Sequence, residues 1–254
     1  MFMRLIQIRT KPKELENLQK HYNDRVVSAL QKTPGCLFVG LMQSAEHHDE
    51  VISMTLWASQ SQAEDYEKSG LFRKLFDELR PMLEDSSEWR VQLSKDLTLE
   101  YAPVPVEPSV KSFSVAAEGS PSSPVPSASG QLYLRIVSVV LKPGNLDEYR
   151  KLYADEVIPA LKATAGCRHA FLMLPGGTSN EAISVTMWDD KRAADEYESS
   201  GRFGYLVDKV KHTFTDLYQW KMKLEHSSSH EQSVTSDDMK VEGFSVLAGR
   251  NFKL

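Results

Sequence analysis

One histidine of this chain is a candidate general acid or base. His169 lies in an apolar, strand-like segment, and a side chain with a pKa near neutrality can take up or release a proton. The alternative is a histidine at the surface or at the mouth of a barrel. The histidines elsewhere favour no chemistry: His47 and His48 lie in a turn without metal-ligand spacing, and the pair at 226 and 230 lies in a serine-rich tail. No metal site is predicted.

Aromatic and hydroxyl side chains form a second candidate group, which occurs twice. Each half of the chain holds one tryptophan, one serine, one tyrosine and one phenylalanine of this group: Trp57, Ser53, Tyr66 and Phe72, then Trp188, Ser184, Tyr197 and Phe203. The serines, tyrosines and phenylalanines are candidates to line a substrate pocket. Trp57, Trp188 and His169 are weak candidates for catalysis. The alternative for the aromatic residues is core packing, with each indole N–H satisfied by a buried acceptor.

The duplication behind this pattern has a constant offset. Residues 4–93 align with residues 135–224 without a gap, and about a third of the aligned positions are identical. A repeat of this length is too long for a solenoid unit and predicts two whole domains. We place copy one at 1–94, a Pro/Ser-rich linker at 95–131, copy two at 132–225 and a tail at 226–254.

Each copy predicts the same order of elements. The first strand (3–10 and 132–141) is followed by an amphipathic helix that begins near Pro12 or Pro143 and that Pro159 should kink in copy two. A hairpin and a second helical region follow, the latter broken near Gly70 and Gly201. The remaining segments are Cys36–Gln43, Glu50–Trp57, Ser59–Leu83 and Glu88–Leu93, repeated as Cys167–Leu174, Glu181–Trp188, Lys191–Phe214 and Gln219–Leu224. The order β-α-β-β-α-β is the ferredoxin-like unit.

The repeat extends beyond this unit. Val110-x-x-Phe113-Ser-Val recurs as Val241-x-x-Phe244-Ser-Val at the same offset. A linker has no physical reason to repeat such a pattern, so we predict short strands near 110–116 and 241–247. Each should add to a sheet edge of its own copy or of the other copy.

Composition narrows the function classes. The formal net charge of −5 gives no basic surface for nucleic acid, and no apolar run has the length of a membrane span. The two cysteines, Cys36 and Cys167, are equivalent in the repeat and are expected to be buried and reduced, the alternative being a symmetric bridge between the copies. We expect a cytoplasmic protein that does not bind nucleic acid or a membrane.

The assembled segments resemble the antibiotic biosynthesis monooxygenase family of the dimeric α+β barrel superfamily. The resemblance rests on the Gly-Cys turn into the second strand, on Thr-x-Trp at the end of the third strand, and on the segments 57–72 and 188–203. It implies an α+β fold in which two ferredoxin-like β-α-β-β-α-β domains form an intramolecular pseudo-dimeric barrel. Further homodimerisation is allowed but not required.

The resemblance implies activity on a small molecule. The leading hypothesis is a monooxygenase that acts on a phenolic or quinone-like substrate without a cofactor, with Ser53 and Ser184 where oxygenases of the family carry an amide. The alternative is a non-catalytic ligand-binding or structural protein. A haem-binding or haem-degrading protein is the third hypothesis, disfavoured because Phe76 and Val207 stand where that branch has a histidine.

Overall fold

Each half of the chain folds in the predicted order of strand, helix, hairpin and helix. The computed structural model describes residues 1–84, 87–93, 99–105, 109–119, 132–175, 180–215 and 239–251. The first half comprises β1 (Phe2–Arg9), α1 (Leu15–His21), α2 (Ser28–Leu30), β2 (Cys36–Ser44), β3 (Glu50–Trp57), α3 (Gln60–Lys68), α4 (Leu71–Leu79), β4 (Ser87–Leu93), β5 (Leu99–Pro105) and β6 (Ser109–Gly119). The second half comprises β7 (Tyr133–Val140), α5 (Leu146–Leu152), α6 (Ile158–Lys162), β8 (Cys167–Pro175), β9 (Glu181–Trp188), α7 (Lys191–Ser199), α8 (Arg202–Val210) and β10 (Met239–Asn251).

The first helix of each half differs from its prediction in two ways. It begins at Leu15 or Leu146, three residues after the proline, and a π-helical turn (Tyr22–Val27 or Tyr153–Val157) separates its two parts. Pro159 follows this turn, but copy one has the same turn with Ser28 in the equivalent position. The proline is therefore not the cause of the irregularity. A π turn inserts one extra residue and often marks a functional site.

The second helical region breaks where the sequence predicted. Gly70 and Gly201 both adopt a left-handed backbone with φ of 77°, a conformation that glycine enters without steric cost. Each glycine ends α3 or α7 and begins α4 or α8 in a new direction. The two short helices can therefore both cover the same sheet.

Eight of the described strands close a barrel. Their order is β1-β3-β2-β10-β7-β9-β8-β6, and every pair in it is antiparallel, including the β6–β1 pair that completes the circle. Closure leaves these eight barrel strands without an unpaired edge, which removes a common site of aggregation from the barrel. The pseudo-dimeric α+β barrel expected from the sequence is confirmed.

The prediction for the fourth strand of the unit was wrong. Residues 88–93 do not join the barrel: β4 pairs with β5 in a separate two-stranded sheet. The fourth position of each unit belongs to the tail strands, β6 and β10. The predicted strand at 219–224 and most of the serine-rich linker and tail lie outside the described residues.

Each tail strand pairs with both copies. Strand β6 pairs with β1 of its own copy and β8 of the other, and β10 pairs with β7 of its own copy and β2 of the other. In the strand register, Phe113 is paired with Met3 and Pro175, and Phe244 is paired with Leu134 and Ser44. These positions are related by the offset of the repeat. The sequence left open which copy each tail would join, and the answer is both.

Strand alternation divides the buried residues into three cores. One face of every barrel strand points into a shared interior that contains Leu56, Leu134, Met187 and Phe244. The opposite face packs under the helices of the same copy and forms a separate core in each half. Cys36 and Cys167 are free, buried and in different helix-side cores, so no bridge joins them. Within the described residues, no helix has the length and apolar character needed to cross a bilayer.

Substitution of Phe244 tests how much the tail strand β10 stabilises the barrel. Its side chain is 3% exposed inside the barrel, so Phe244→Ala should lower the free energy of unfolding by about 3–5 kcal/mol through lost burial and a new cavity. Ser245→Ala, on the solvent side of the same strand, is the matched control and should change it by less than about 0.5 kcal/mol. Urea unfolding measures both. Equal values for the two variants would show that β10 adds little to the barrel.

Candidate functional site

Each copy contains a cavity between its helices and the outer face of its sheet. The empty space, counted together with the solvent at its mouth, is about 500 Å³ in copy one and about 510 Å³ in copy two. Most of the lining is apolar. The polar side chains are Arg4, Tyr22, Ser53, Thr55 and Tyr66 in copy one, and Arg135, Tyr149, Tyr153, Ser184, Thr186 and Tyr197 in copy two.

A tyrosine–serine pair crosses each cavity from helix to sheet. The hydroxyls of Tyr22 and Ser53 are 2.7 Å apart, and those of Tyr153 and Ser184 are 2.5 Å apart. Both tyrosines begin the π turn of their helix, and both serines lie on the third strand of their copy. The Tyr22 hydroxyl also donates to the carbonyl of Gly40, so Ser53 is the donor within the first pair. The predicted serines thus have a helix partner that the sequence did not reveal.

In each copy a buried arginine lies beside the phenylalanine of the second helical region. Arg4 and Arg135 are each 4% exposed, on the first strand of their copy. Their guanidinium carbons lie 5.2 Å from the ring centre of Phe72 and 4.1 Å from that of Phe203, distances typical of cation–π contacts. Sequence reasoning missed both arginines. The signal was present, because a charged residue recurs at the repeat offset inside an apolar alternating segment.

The arginines are paired with glutamates at the surface. Arg4 Nη2 lies 3.3 Å from Glu67 Oε2, and Arg135 Nη2 lies 3.0 Å from Glu198 Oε2. Both glutamate side chains are about half exposed. Each arginine therefore connects an apolar cavity to a carboxylate in water.

All six residues predicted to line a pocket do line one of the two cavities. Ser53, Tyr66 and Phe72 line the first cavity, and Ser184, Tyr197 and Phe203 line the second. Phe76 and Val207, where a haem ligand would stand in the haem-degrading branch, are also lining residues. This difference gives the second cavity a smaller side chain at an otherwise equivalent point.

The tryptophans lie behind the cavities. Trp57 and Trp188 are fully buried and donate their indole N–H to the hydroxyls of Thr55 and Thr186 at 2.9 and 2.8 Å. Their rings pack on Tyr66 and Tyr197 with centroids 5.1 and 4.9 Å apart. Neither indole is a lining residue, so each tryptophan contacts the pocket through its tyrosine and threonine.

His169 is not part of either cavity lining. Its ring stacks on Phe171, a residue of the shared barrel interior, with centroids 5.9 Å apart. Burial, with a smaller effect of the neighbouring Arg168 charge, lowers the pKa of His169. The imidazole is therefore neutral at pH 7 and separated from the tyrosine–serine pair by the sheet. Within the described residues, no three histidine, cysteine, aspartate or glutamate side chains are grouped as a metal site.

A family model settles the relationship that these features suggest. The model described as antibiotic biosynthesis monooxygenase matches the sequence twice, at residues 1–78 and 133–209. The chain belongs to the antibiotic biosynthesis monooxygenase (ABM) family. The two matches correspond to the two copies of the barrel. A search of curated proteins found no match.

Solved structures of similar fold cover nearly the whole ABM tandem. Two of them are named "putative monooxygenase": one from Lactobacillus acidophilus NCFM (8% identity, TM-score 0.66, covering 98% of this chain and 95% of that one) and one from Fusobacterium nucleatum (10% identity, TM-score 0.66, 100% and 98%). An anthrone oxidase-like protein is similar at 12% identity and a TM-score of 0.56, covering 98% of this chain and 92% of that one. At these identities the likeness concerns the fold.

Buried tyrosine hydroxyls should make the protein sensitive to alkali. Burial raises the pKa of Tyr22, Tyr66, Tyr153 and Tyr197. These hydroxyls stay protonated in the folded state while the unfolded chain ionises near pH 10, so their contribution to stability is complete below pH 10 and is lost as the pH rises further. Each such group should steepen the fall in the free energy of unfolding by up to about 1.4 kcal/mol per pH unit.

Urea unfolding between pH 8 and 11 measures this effect. Tyr153→Phe should show a shallower fall above pH 10 than the unaltered protein, because one buried hydroxyl is removed. Tyr205→Phe is the matched control, since that ring is 61% exposed. Identical slopes in Tyr153→Phe and the unaltered protein would contradict the assignment.

Proposed function

We propose that this ABM protein oxygenates a small phenolic or quinone-like molecule without a resident cofactor. The observation that carries the proposal is the pair of equivalent cavities beside Tyr66 and Tyr197, each mostly apolar with a tyrosine–serine hydrogen bond across it. A filled core at these positions would have left no room for a substrate. Oxygenation of an electron-rich ring requires an enclosed pocket and groups that hold the substrate oxygen.

The hydroxyl pairs supply the orienting groups. A phenol oxygen of the substrate can accept from or donate to the Tyr153–Ser184 pair, and a ketone oxygen can accept from it. Burial raises the pKa of Tyr153 further above neutrality, so its hydroxyl is protonated at neutral pH. Tyr197 and Phe203 provide the apolar wall, and Trp188 holds Tyr197 from behind. Trp57 and Trp188 are thus proposed as positioning residues, and His169 has no role in this proposal.

The reaction balances without a further reactant. The substrate loses a proton, and its carbanion or phenolate gives electrons to O₂. One oxygen atom ends on the ring carbon as a carbonyl. The other leaves as water with two hydrogens of the substrate, both from the ring CH2 of an anthrone, or one from the ring C–H and one from the hydroxyl of a phenol. The substrate is oxidised and O₂ is reduced.

A ligand-binding protein without catalysis is the second candidate. Among the described lining residues of both cavities, none is a carboxylate or an imidazole that could take the substrate's proton. A site of this kind holds an aromatic molecule well, but the substrate's proton has to go to the solvent, with the arginine charge favouring the anion that remains. Binding without oxygen consumption is the expected behaviour of this candidate.

Oxygen uptake with a panel of anthrones and quinols distinguishes the two. The proposal expects substrate-dependent uptake that Val207→Phe lowers, because the larger side chain occupies part of the second cavity. The first cavity already has Phe76 at this point, so the uptake that remains measures its share. Tyr205→Phe is the surface control and should retain full uptake. Binding of panel members without uptake would favour the ligand-binding protein, and neither binding nor uptake would reject both.

A further inference from the structure

The buried guanidinium of copy two has N–H donors without an aligned hydrogen-bond acceptor. Neither Nη1 nor Nη2 of Arg135 makes a hydrogen bond within the described structure, although both atoms are buried. The Glu198 carboxylate lies 3.0 Å from Nη2, close enough for charge attraction but not aligned as a hydrogen-bond acceptor. Leaving a buried charged donor without an acceptor is costly, and such groups point to an absent partner.

The surroundings of Arg135 define what that partner can be. The guanidinium lies 4.1 Å from the ring centre of Phe203 and 5.7 Å from that of Tyr197, and all three side chains line the second cavity. The rest of the lining is aliphatic or aromatic apart from hydroxyls, so Arg135 is the one charge among the described lining residues. A cation in an apolar cavity favours a ligand with a hydrophobic body and a single negative oxygen group.

The lack of a proton acceptor supports the same conclusion. If no lining residue can remove a proton, a substrate that arrives as an anion needs no such residue. A positive charge in the cavity also favours the ionised form of a weakly acidic ligand.

We propose that the second cavity binds an aromatic monoanion, a carboxylate or phenolate, whose oxygen takes the hydrogen bonds of Arg135. Glu198 is the competing anion: it neutralises the guanidinium in the empty protein and is displaced from it when the ligand enters. This assignment depends on the proposed function only because both place the ligand in the second cavity. Its own content is the ligand class, an aromatic monoanion, and the residue that selects it, Arg135.

The two copies are not equivalent in this respect. Val207 has a smaller side chain than Phe76 of copy one, which stacks against Phe72 with centroids 6.2 Å apart. Met239 of β10, together with Tyr149 and Phe214, adds further lining to the second cavity. The proposal concerns copy two, where the Arg135 donors lack an aligned acceptor, with Arg4 of copy one as the internal comparison.

Calorimetric titration with 2-naphthoate and its neutral isostere 2-naphthamide tests the proposal on the full chain. The naphthoate should bind at least about tenfold more tightly than the amide, because hydrogen bonds to a charged partner are stronger than those to a neutral one. Arg135→Met should weaken naphthoate binding by about ten- to hundredfold and leave amide binding nearly unchanged. Arg4→Met, the matched variant of copy one, should leave the tighter site intact.

A second variant keeps the test independent of folding. Glu198 is half exposed, so Glu198→Gln should fold normally, and it should tighten naphthoate binding several-fold because the competing anion is gone. A merely structural arginine–glutamate pair would give no such gain. Equal affinity for naphthoate and naphthamide, no binding of either, or weaker naphthoate binding in Glu198→Gln would overturn the proposal.

These outcomes are separable from the oxygenase proposal. Preference for naphthoate without oxygen uptake from any panel substrate would reject oxygenation and retain the anion site. Oxygen uptake that is unchanged by Arg135→Met, with no naphthoate preference, would reject the anion site alone.

Discussion

Main-chain pairing between the two halves is the constraint on which the rest of this protein depends. Strands β6 and β10 each hydrogen-bond to one strand of their own copy and to one strand of the other. Without them, each half would be a three-stranded sheet with two open edges and an uncovered apolar face. With them, the sheets close and bury a common interior to which both halves contribute. The covalent tandem keeps both tails at high local concentration, so the closure is intramolecular.

Closure also determines where a ligand can bind. Methionine, leucine and phenylalanine side chains pack the barrel interior, including Met3, Met54, Leu134 and Phe244. Both cavities described among the placed residues lie on the outer faces under the helices. There the π turn carries Tyr22 or Tyr153 over the third strand, and the break at Gly70 or Gly201 lets a short helix cover the cavity. The irregular parts of the helices, rather than their regular turns, form the walls of the candidate sites.

Duplication has kept the scaffold and let the cavities diverge. The arginine, the tyrosine–serine pair and the tryptophan–threonine hydrogen bond occur in both halves. The size of the side chain at Phe76 and Val207 differs, and so do Phe38 and His169 on the barrel side. A gene-fused pair can hold one site for a new ligand while the other retains its packing.

The sequence by itself determined the duplication, the order of elements and the break at the two glycines, because these depend on local periodicity and backbone preferences. It also identified Ser53, Tyr66 and Phe72 and their repeat equivalents, which line the cavities. It failed for residues 88–93, since an alternating segment can pair with any strand and its own residues do not select the partner. It also missed Arg4 and Arg135, because a charge in a strand is recognised as buried only when the helices that cover it are in place. Which strands pair, which charges are enclosed, and where space remains were decided by the tertiary structure, because each depends on contacts between residues far apart in the chain.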